Sequence, residues 1–230
     1  MEPAISPDAA LVLFSGGQDS TTCLFWAKAH FARVEALGFD YGQRHAVELE
    51  QARLIAARAG VPFTVLDLRG LLSGSALTDP GKDVSAPHEH DASLPASFVP
   101  GRNALFLTIA ASFAYTRGVH DLVGGMCQTD YSGYPDCRRV FVDAQQTALS
   151  LALGRDVRIH TPLMYLSKAE TWKLAKDLGD DVFEIVRDLS HTDYHGDRTT
   201  RNDWGYGRLD NPASVLRARG YEEAKAKGWI

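Results

Sequence analysis

The sequence predicts an α/β protein built on a parallel sheet, and three observations predict it. Short apolar runs alternate with helical stretches through the first 70 residues, the pattern of strands crossed over by helices. A glycine-containing turn joins the first apolar run directly to the first helix. The composition is that of a packed chain: 230 residues, 45% hydrophobic, 23% charged and 10% aromatic, which suits one large domain.

The elements follow in order. Ala10 to Phe14 is an apolar strand that breaks into Ser15-Gly16-Gly17-Gln18-Asp19-Ser20, and a helix runs on to about Ala29. Val34 to Phe39 reads as a second strand ending at Asp40-Tyr41-Gly42. Between His45 and Ala59, Val47, Ala52, Leu54, Ile55, Ala56 and Ala59 recur at roughly helical spacing. Pro62 to Asp67 is a third strand. From Gly70 to Ser97 the pattern dissolves into Gly, Ser, Pro, Asp and His; His88, Glu89, His90 and Asp91 read there as part of a solvated loop, 70–97. Asn103 to Tyr115 carries a wide apolar face (Leu105, Phe106, Ile109, Ala110, Phe113), which predicts a well-buried helix. Asp121 to Gly125 is a strand ending in glycine, Arg138 to Leu153 a helix, and Arg158 to Leu163 a further strand. Ser167-Lys-Ala-Glu170 opens a helix with a capping box. The organisation expected is a flexible 1–9, a nucleotide-binding α/β domain over 10–185, and a small C-terminal helical segment over 186–230.

Charge and cysteine usage exclude several classes. Lys and Arg number 24 against 29 Asp and Glu, a formal charge of -5, and no basic stripe of five or more residues occurs, so nucleic acid is not an expected partner. Cys23, Cys127 and Cys137 are too few for a disulfide framework and form no C-x-x-C pair. No apolar run approaches a membrane span and the first ten residues lack a signal peptide's basic region. A soluble, cytoplasmic protein is expected.

The turn after the first strand carries the chemistry. Gly16 and Gly17 let backbone N–H groups approach an anion; the helix N-terminus adds partial positive charge, and Ser15, Ser20 and Thr21 add hydroxyls. Pyrophosphate suits such a site. Asp19 beside phosphate calls for an intervening Mg²⁺. The bland alternative is an ordinary glycine turn; neither a Walker A nor a G-x-G-x-x-G string is present. Phe39 and Tyr41, at a strand's carboxyl end, are placed to flank an adenine, with core packing the alternative for Phe39. Arg44 and Arg102 are candidate clamps for phosphate or carboxylate. The stretch Thr129 to Cys137 offers stacking faces and acceptors for a purine-like ring, Asp130 and Asp136 accepting from its N–H groups or serving only as turn-formers. Lys168 is placed to neutralise an acyl-phosphate, or to lie along the surface.

The full S-G-G-x-D-S string resembles the PP-loop of the adenine-nucleotide alpha-hydrolase-like superfamily. With Phe39-Asp-Tyr-Gly-Gln-Arg-His45, Phe98-Val-Pro-Gly-Arg-Asn103, Thr129-Asp-Tyr-Ser-Gly-Tyr-Pro-Asp-Cys137 and Thr161-Pro-Leu-Met164, the chain resembles the 7-cyano-7-deazaguanine synthase family from about Leu11 to Thr192. The resemblance implies a Rossmann-like PP-loop ATPase domain and a homodimer. It implies ATP-dependent adenylation of 7-carboxy-7-deazaguanine, with capture by ammonia or another amine, Mg²⁺ assisting. It also implies site residues. Phe14, Ser15, Gly16, Gly17, Gln18, Asp19, Ser20, Thr21, Phe39, Tyr41 and Arg44 take ATP and pyrophosphate. Arg102, Asn103, Thr129, Asp130, Tyr131, Ser132, Gly133, Tyr134 and Asp136 take the deazaguanine, and Asp19, Arg102 and Lys168 act catalytically.

One departure stands out. The family carries four zinc cysteines near its C-terminus; the corresponding positions here are Asp193, Arg208, Asn211 and Ser214, which cannot build a thiolate site. Zinc is not predicted. His191, Asp193, His195 and Asp197 permit another metal, but a hydrogen-bonded polar loop is the reading preferred, with Arg208 pairing to Asp193 or Asp210 in place of the metal cross-link. The departure leaves two alternatives: an enzyme that stops at the amide or conjugates the activated deazaguanine to another amine, even a polypeptide, and a non-catalytic nucleotide-binding protein.

Overall fold

The computed structural model describes residues 8–42, 47–71, 87–88, 91–129, 134–193 and 196–230. In chain order its elements are β1 (Ala9–Leu13), α1 (Gln18–His30), β2 (Arg33–Asp40), α2 (Val47–Ala59), β3 (Phe63–Asp67), β4 (Pro87–His88), β5 (Asp91–Pro95), α3 (Arg102–Tyr115), β6 (Asp121–Val123), a 3₁₀ turn (Pro135–Cys137), α4 (Arg139–Leu153), β7 (Arg158–His160), α5 (Lys168–Asp177), α6 (Asp180–Asp188), β8 (Arg201–Asn202), β9 (Gly205–Tyr206) and α7 (Pro212–Ala226). Five strands form one parallel sheet in the order β3-β2-β1-β6-β7. This is the α/β, Rossmann-like class expected.

Successive side chains of a strand face opposite sides of a sheet, and the sheet sorts its residues accordingly. Ala10, Val12, Val34 and Ala36 face a layer built from α1, α2, α5, α6 and α7, where Leu24, Ile55, Trp172, Phe183 and Tyr221 pack. Ala9, Leu11, Leu37 and Phe39 face the other layer, with Leu107, Ala110, Val142 and Leu149 of α3 and α4. Both faces are therefore covered, which is why the strands read as continuous apolar runs. Trp172 is fully buried, edge-on to Phe183 and Tyr221 at centroid distances of 5.7 and 5.3 Å, and its indole N–H donates to the carbonyl of Arg217. Aromatic pairs in this geometry add roughly 0.5–1.5 kcal/mol each beyond burial.

The α5 capping box forms as expected: Ser167 Oγ accepts from the Glu170 amide at 3.3 Å, and Glu170 accepts from the Ser167 amide at 2.7 Å. The structure also departs from expectation. Part of the 70–97 stretch is an antiparallel ribbon, β4 with β5, too short for periodicity to register. His88 in it is 7% exposed, with Phe98 edge-on to its ring at 5.7 Å, so it is not a solvated loop residue; Glu89 and His90 lie outside the described residues. The expected boundary at 185/186 falls inside α6, and α7 shares one core with α1 and α5, because α6 and α7 bury their apolar faces on the same layer. Of the expected flexible N-terminus, 1–7 lie outside the described residues and Ala9 begins β1. No helix among the described residues is long and apolar enough to cross a membrane.

Candidate functional site

The strand order reverses between β1 and β6: from β1 the chain winds to β2 and β3 on one side, and to β6 and β7 on the other. Ligands of open α/β sheets gather outside the carboxyl ends of strands at such a switch point. The two segments leaving it are residues 14–17 after β1 and 124–128 after β6.

The first segment is the glycine turn. Gly16 has φ +81°, and a Cβ there would meet Ala52 N at 2.8 Å and Glu48 O at 2.9 Å, so the α2 backbone packs directly on the turn. Inside it, Gly17 N donates to Ser15 Oγ at 3.3 Å, Ser20 Oγ donates to the Gly17 carbonyl at 3.2 Å, and the two serine hydroxyls lie 3.1 Å apart. Gly17 starts α1 with no side-chain cap, which leaves the first-turn amides for an anion. The neighbouring polar atoms are also unsatisfied. Gln18 is 3% exposed and neither end of its amide has a hydrogen-bond partner among the described residues; Thr21 Oγ1 and Gln51 Oε1 are likewise buried and unpartnered among them. Orphaned buried polar groups cost roughly 1–3 kcal/mol each, and these belong to α1 and α2, the two helices that meet at the glycine turn.

The second segment approaches through Gly125, where a Cβ would lie 3.2 Å from Asp19 Cβ and 3.4 Å from Ser20 N. Asp19 itself holds Lys168, whose Nζ is 2.9 Å from each carboxylate oxygen. The structure thus joins two residues that the sequence reading had assigned separate tasks. Lys168, delivered by the first turn of α5, is a cation set directly against Asp19.

Arg102, in the first turn of α3, forms a hydrogen bond with the Tyr41 phenol and faces Glu48. Burial raises the Tyr41 phenol, Arg102 opposing it. Burial likewise lifts the Glu48 carboxyl to about 7, again against Arg102. Tyr134 closes this corner, its hydroxyl 2.8 Å from Ser97 Oγ and its ring 5.5 Å from Phe98. Beside Tyr134 lies a cavity of about 540 Å³ lined by Cys127, Gln128, Arg138, Arg139, Val140, Asp143 and Tyr165 as well, in the range of small-molecule sites. Gln128 is three residues beyond Gly125, so the cavity begins within roughly 10 Å of chain from the glycine turn.

Several expected site residues are placed otherwise. Phe14 is 2% exposed and edge-on to Phe63 at 5.4 Å. Phe39 is 7% exposed and stacked on Phe106 at 4.2 Å. Both belong to the core, because they continue the inward-facing positions of β1 and β2; Tyr41, two residues on, keeps a half-buried ring 5.5 Å from Phe106. Asp136 is buried, and one of its oxygens accepts from the Asn103 amide at 2.9 Å. Asn103 Nδ2 donates back to the Asp136 carbonyl at 3.2 Å. The pair ties the 3₁₀ turn to the α3 N-terminus, an N-capping role for that oxygen. Thr129 is exposed and its hydroxyl donates to the Leu166 carbonyl at 2.5 Å. Arg44 and residues Asp130, Tyr131, Ser132 and Gly133 lie outside the described residues. Arg208 pairs through its guanidinium with Asp197 at 3.3 Å, not with Asp193 or Asp210; its backbone amide is what reaches Asp193, at 2.7 Å. The β9–α7 turn projects the side chain outward, 62% exposed.

Sequence reasoning passed over Glu48 and Gln51, and it read His191 as part of a polar loop without placing it at the glycine turn. Glu48 reads as an ordinary acidic residue of a first helical turn, and nothing local says that the turn abuts a glycine loop 32 positions earlier. His191 is 1% exposed and its amide donates to the Gly16 carbonyl at 3.0 Å. Burial lowers its imidazole to about 4.

The family model described as queuosine biosynthesis protein QueC matches residues 9–225. A 7-cyano-7-deazaguanine synthase of Rhodopseudomonas palustris is 54% identical over 95% of this chain and 96% of that protein. Its namesake in a Bradyrhizobium species is 54% identical over 93% of each chain, and that of Herminiimonas arsenicoxydans is 50% identical over 95% and 97%.

Proposed function

The chain belongs to the queuosine biosynthesis protein QueC family, and from that membership we propose that it is an ATP-dependent ligase making 7-cyano-7-deazaguanine from 7-carboxy-7-deazaguanine. One observation carries the reading: the Ser15–Ser20 turn, with the unpartnered Gln18 amide in it, stands at the switch point of the sheet, in a chain half identical to proteins of that name.

The chemistry answers a specific difficulty. A carboxylate is a poor electrophile because attack on it must expel oxide. Its attack on the α-phosphorus of ATP releases pyrophosphate and leaves an acyl-adenylate, whose AMP is a good leaving group. Ammonia adds to the acyl carbon, AMP departs, a proton is lost, and the amide remains. A second ATP activates the amide oxygen as an adenylate with release of pyrophosphate; loss of AMP and of the nitrogen's protons gives the nitrile.

The side chains divide this work. The amides of the first α1 turn and the Ser15 and Ser20 hydroxyls receive pyrophosphate charge as it develops. The Asp19–Lys168 pair presents a neutralised carboxylate to the phosphates and keeps an ammonium beside them. Arg102 serves the substrate carboxylate, and Glu48 beside it is set to exchange a proton near neutral pH. The cavity beside Tyr134 and Tyr165 accommodates the bicyclic ring. Mg²⁺ enters with the nucleotide and offsets its phosphate charge.

A homodimer and a cytoplasmic location complete the reading. Val140 and Leu151, 74% and 79% exposed, are three turns apart on one face of α4 and offer apolar surface to a second copy. The test is incubation with ATP, Mg²⁺, 7-carboxy-7-deazaguanine and ¹⁵N-ammonium, followed by mass spectrometry. Labelled nitrile is expected. Stalling at the amide would establish the truncated or conjugating alternative, and absence of substrate-dependent pyrophosphate would leave the nucleotide-binding protein.

A further inference from the structure

Residues 190–193 run behind the phosphate-binding turn. Besides the bond from His191 N–H to the Gly16 carbonyl at 3.0 Å, the His191 carbonyl lies 3.4 Å from where a Cβ on Gly17 would sit. The conformation of the turn is therefore set partly by the C-terminal part of the chain.

Two anchors hold 190–193. The first is Arg217 of α7, fully buried, whose guanidinium donates to Ser190 Oγ and Thr192 Oγ1, both at 2.9 Å. It also donates to the Val186 and Arg187 carbonyls at the end of α6, at 3.0 and 2.9 Å. The second is Asp193, 1% exposed. Its Oδ2 accepts from the Arg208 amide at 2.7 Å and from the Ser214 hydroxyl at 3.4 Å. Its carbonyl accepts from His191 Nε2 at 2.9 Å, which fixes the imidazole as the Nε2–H tautomer. Asn211 Nδ2 donates to Ser214 Oγ at 3.1 Å, while Asn211 Oδ1 caps α7 by accepting from the Ser214 amide at 3.0 Å.

The four positions that align with the family's zinc cysteines, Asp193, Arg208, Asn211 and Ser214, all meet in this one net. They do not fit zinc. No thiolate is present, the single carboxylate already accepts hydrogen bonds, and Arg208 brings a cation. They do perform a cross-link's mechanical task, joining 190–193 to the β9–α7 turn.

We propose that Asp193 is a positioning residue for the nucleotide site: its carboxylate, acting through His191, holds Gly16 in its φ +81° turn, and no metal is needed. This rests on the reading that ATP binds the turn. A charge-assisted acceptor serving a part-buried backbone amide is among the stronger hydrogen bonds, and its loss is read at the nucleotide.

The experiment uses the full chain with Asp193→Ala and Asp193→Asn, measuring ATP affinity by titration calorimetry, steady-state kinetics and zinc by elemental analysis. Asn keeps an oxygen for the Arg208 amide; Ala does not. Asp193→Ala, folded by circular dichroism, should weaken ATP about tenfold (about 1.4 kcal/mol), raising KM for ATP with kcat at saturation retained. Asp193→Asn should stay within about threefold of wild type. Prolonged dialysis against a strong chelator should leave wild-type melting and affinity unchanged. A merely structural role lowers the amount of active protein and leaves KM unmoved, and that outcome overturns the proposal. So does stoichiometric zinc, or chelator-sensitive melting. If Asp193→Ala does not fold, Ser214→Ala, which removes the hydroxyl's bonds to Asp193 and Asn211 and leaves the Arg208 amide on Asp193, should still raise KM two- to threefold; an unchanged KM refutes the proposal. A wild-type chain that binds no ATP overturns instead the functional reading, and the inference with it.

Discussion

Glu48→Gln should make this protein more stable at pH 8 and leave it nearly unchanged at pH 4. Burial lifts the Glu48 carboxyl from 4.5 to about 7 in the folded chain. With the folded value above the unfolded one, its contribution is complete below pH 4.5 and is lost as pH rises through 7. At about 1.36 kcal/mol per unit, the loss is roughly 3 kcal/mol, and a neutral amide of the same shape does not suffer it. His191 runs the other way. Its imidazole falls from 6.5 to about 4, so its contribution is complete above pH 6.5 and disappears as pH falls through 4. Between pH 4.5 and 6.5 the two slopes offset in the wild type, and Glu48→Gln uncovers the rising His191 slope. The assay is urea unfolding followed by tryptophan fluorescence at pH 5, 6, 7 and 8 without nucleotide. The stability difference between variant and wild type should grow with pH to roughly 3 kcal/mol. A difference constant across that range would refute the claim that this carboxyl is buried in the folded chain.

Three further outcomes are expected. Gly16→Ala combines a left-handed backbone penalty of about 1–2 kcal/mol with a Cβ 2.8 Å from Ala52 N, itself worth about 1–3 kcal/mol of overpacking; urea unfolding should show the loss, and pyrophosphate release should vanish. Lys168→Met leaves Asp19 as a bare carboxylate facing phosphate and should raise KM for ATP at least tenfold, with Asp19→Asn in the same chain recovering most of it in initial-rate assays. Asp136→Ala removes the acceptor from the α3 N-terminus, at a cost of about 0.5–2 kcal/mol. Thermal melting should register it, and KM for the deazaguanine acid should rise because Arg102 shares that first turn.

Much of this was legible in the sequence because it is local. Strand, turn and helix order depends on residues a few positions apart, so the Ser15–Ser20 turn, the Ser167 capping box and the parallel α/β class were open to reading. Burial was not. Phe39 looks like a ligand-flanking aromatic until Phe106 of α3 is stacked on it, and Phe14, which the resemblance assigns to the nucleotide, packs edge-on to Phe63 of β3. The β4–β5 ribbon was missed because two residues carry no period, and α6 ran through the expected boundary because one apolar layer serves both parts of the chain.

The sequence by itself determined which side chains carry groups suited to phosphate and that Asp193, Arg208, Asn211 and Ser214 carry no thiolate, since those are properties of side-chain chemistry. The tertiary structure alone decided whom each group meets: Lys168 against Asp19, 149 positions away, Glu48 against Arg102, and the Asp193 net behind Gly16. The physical reason is that a hydrogen bond or ion pair acts over about 3 Å, whereas the chain brings such partners together only after two layers of helices have buried their apolar faces on the sheet.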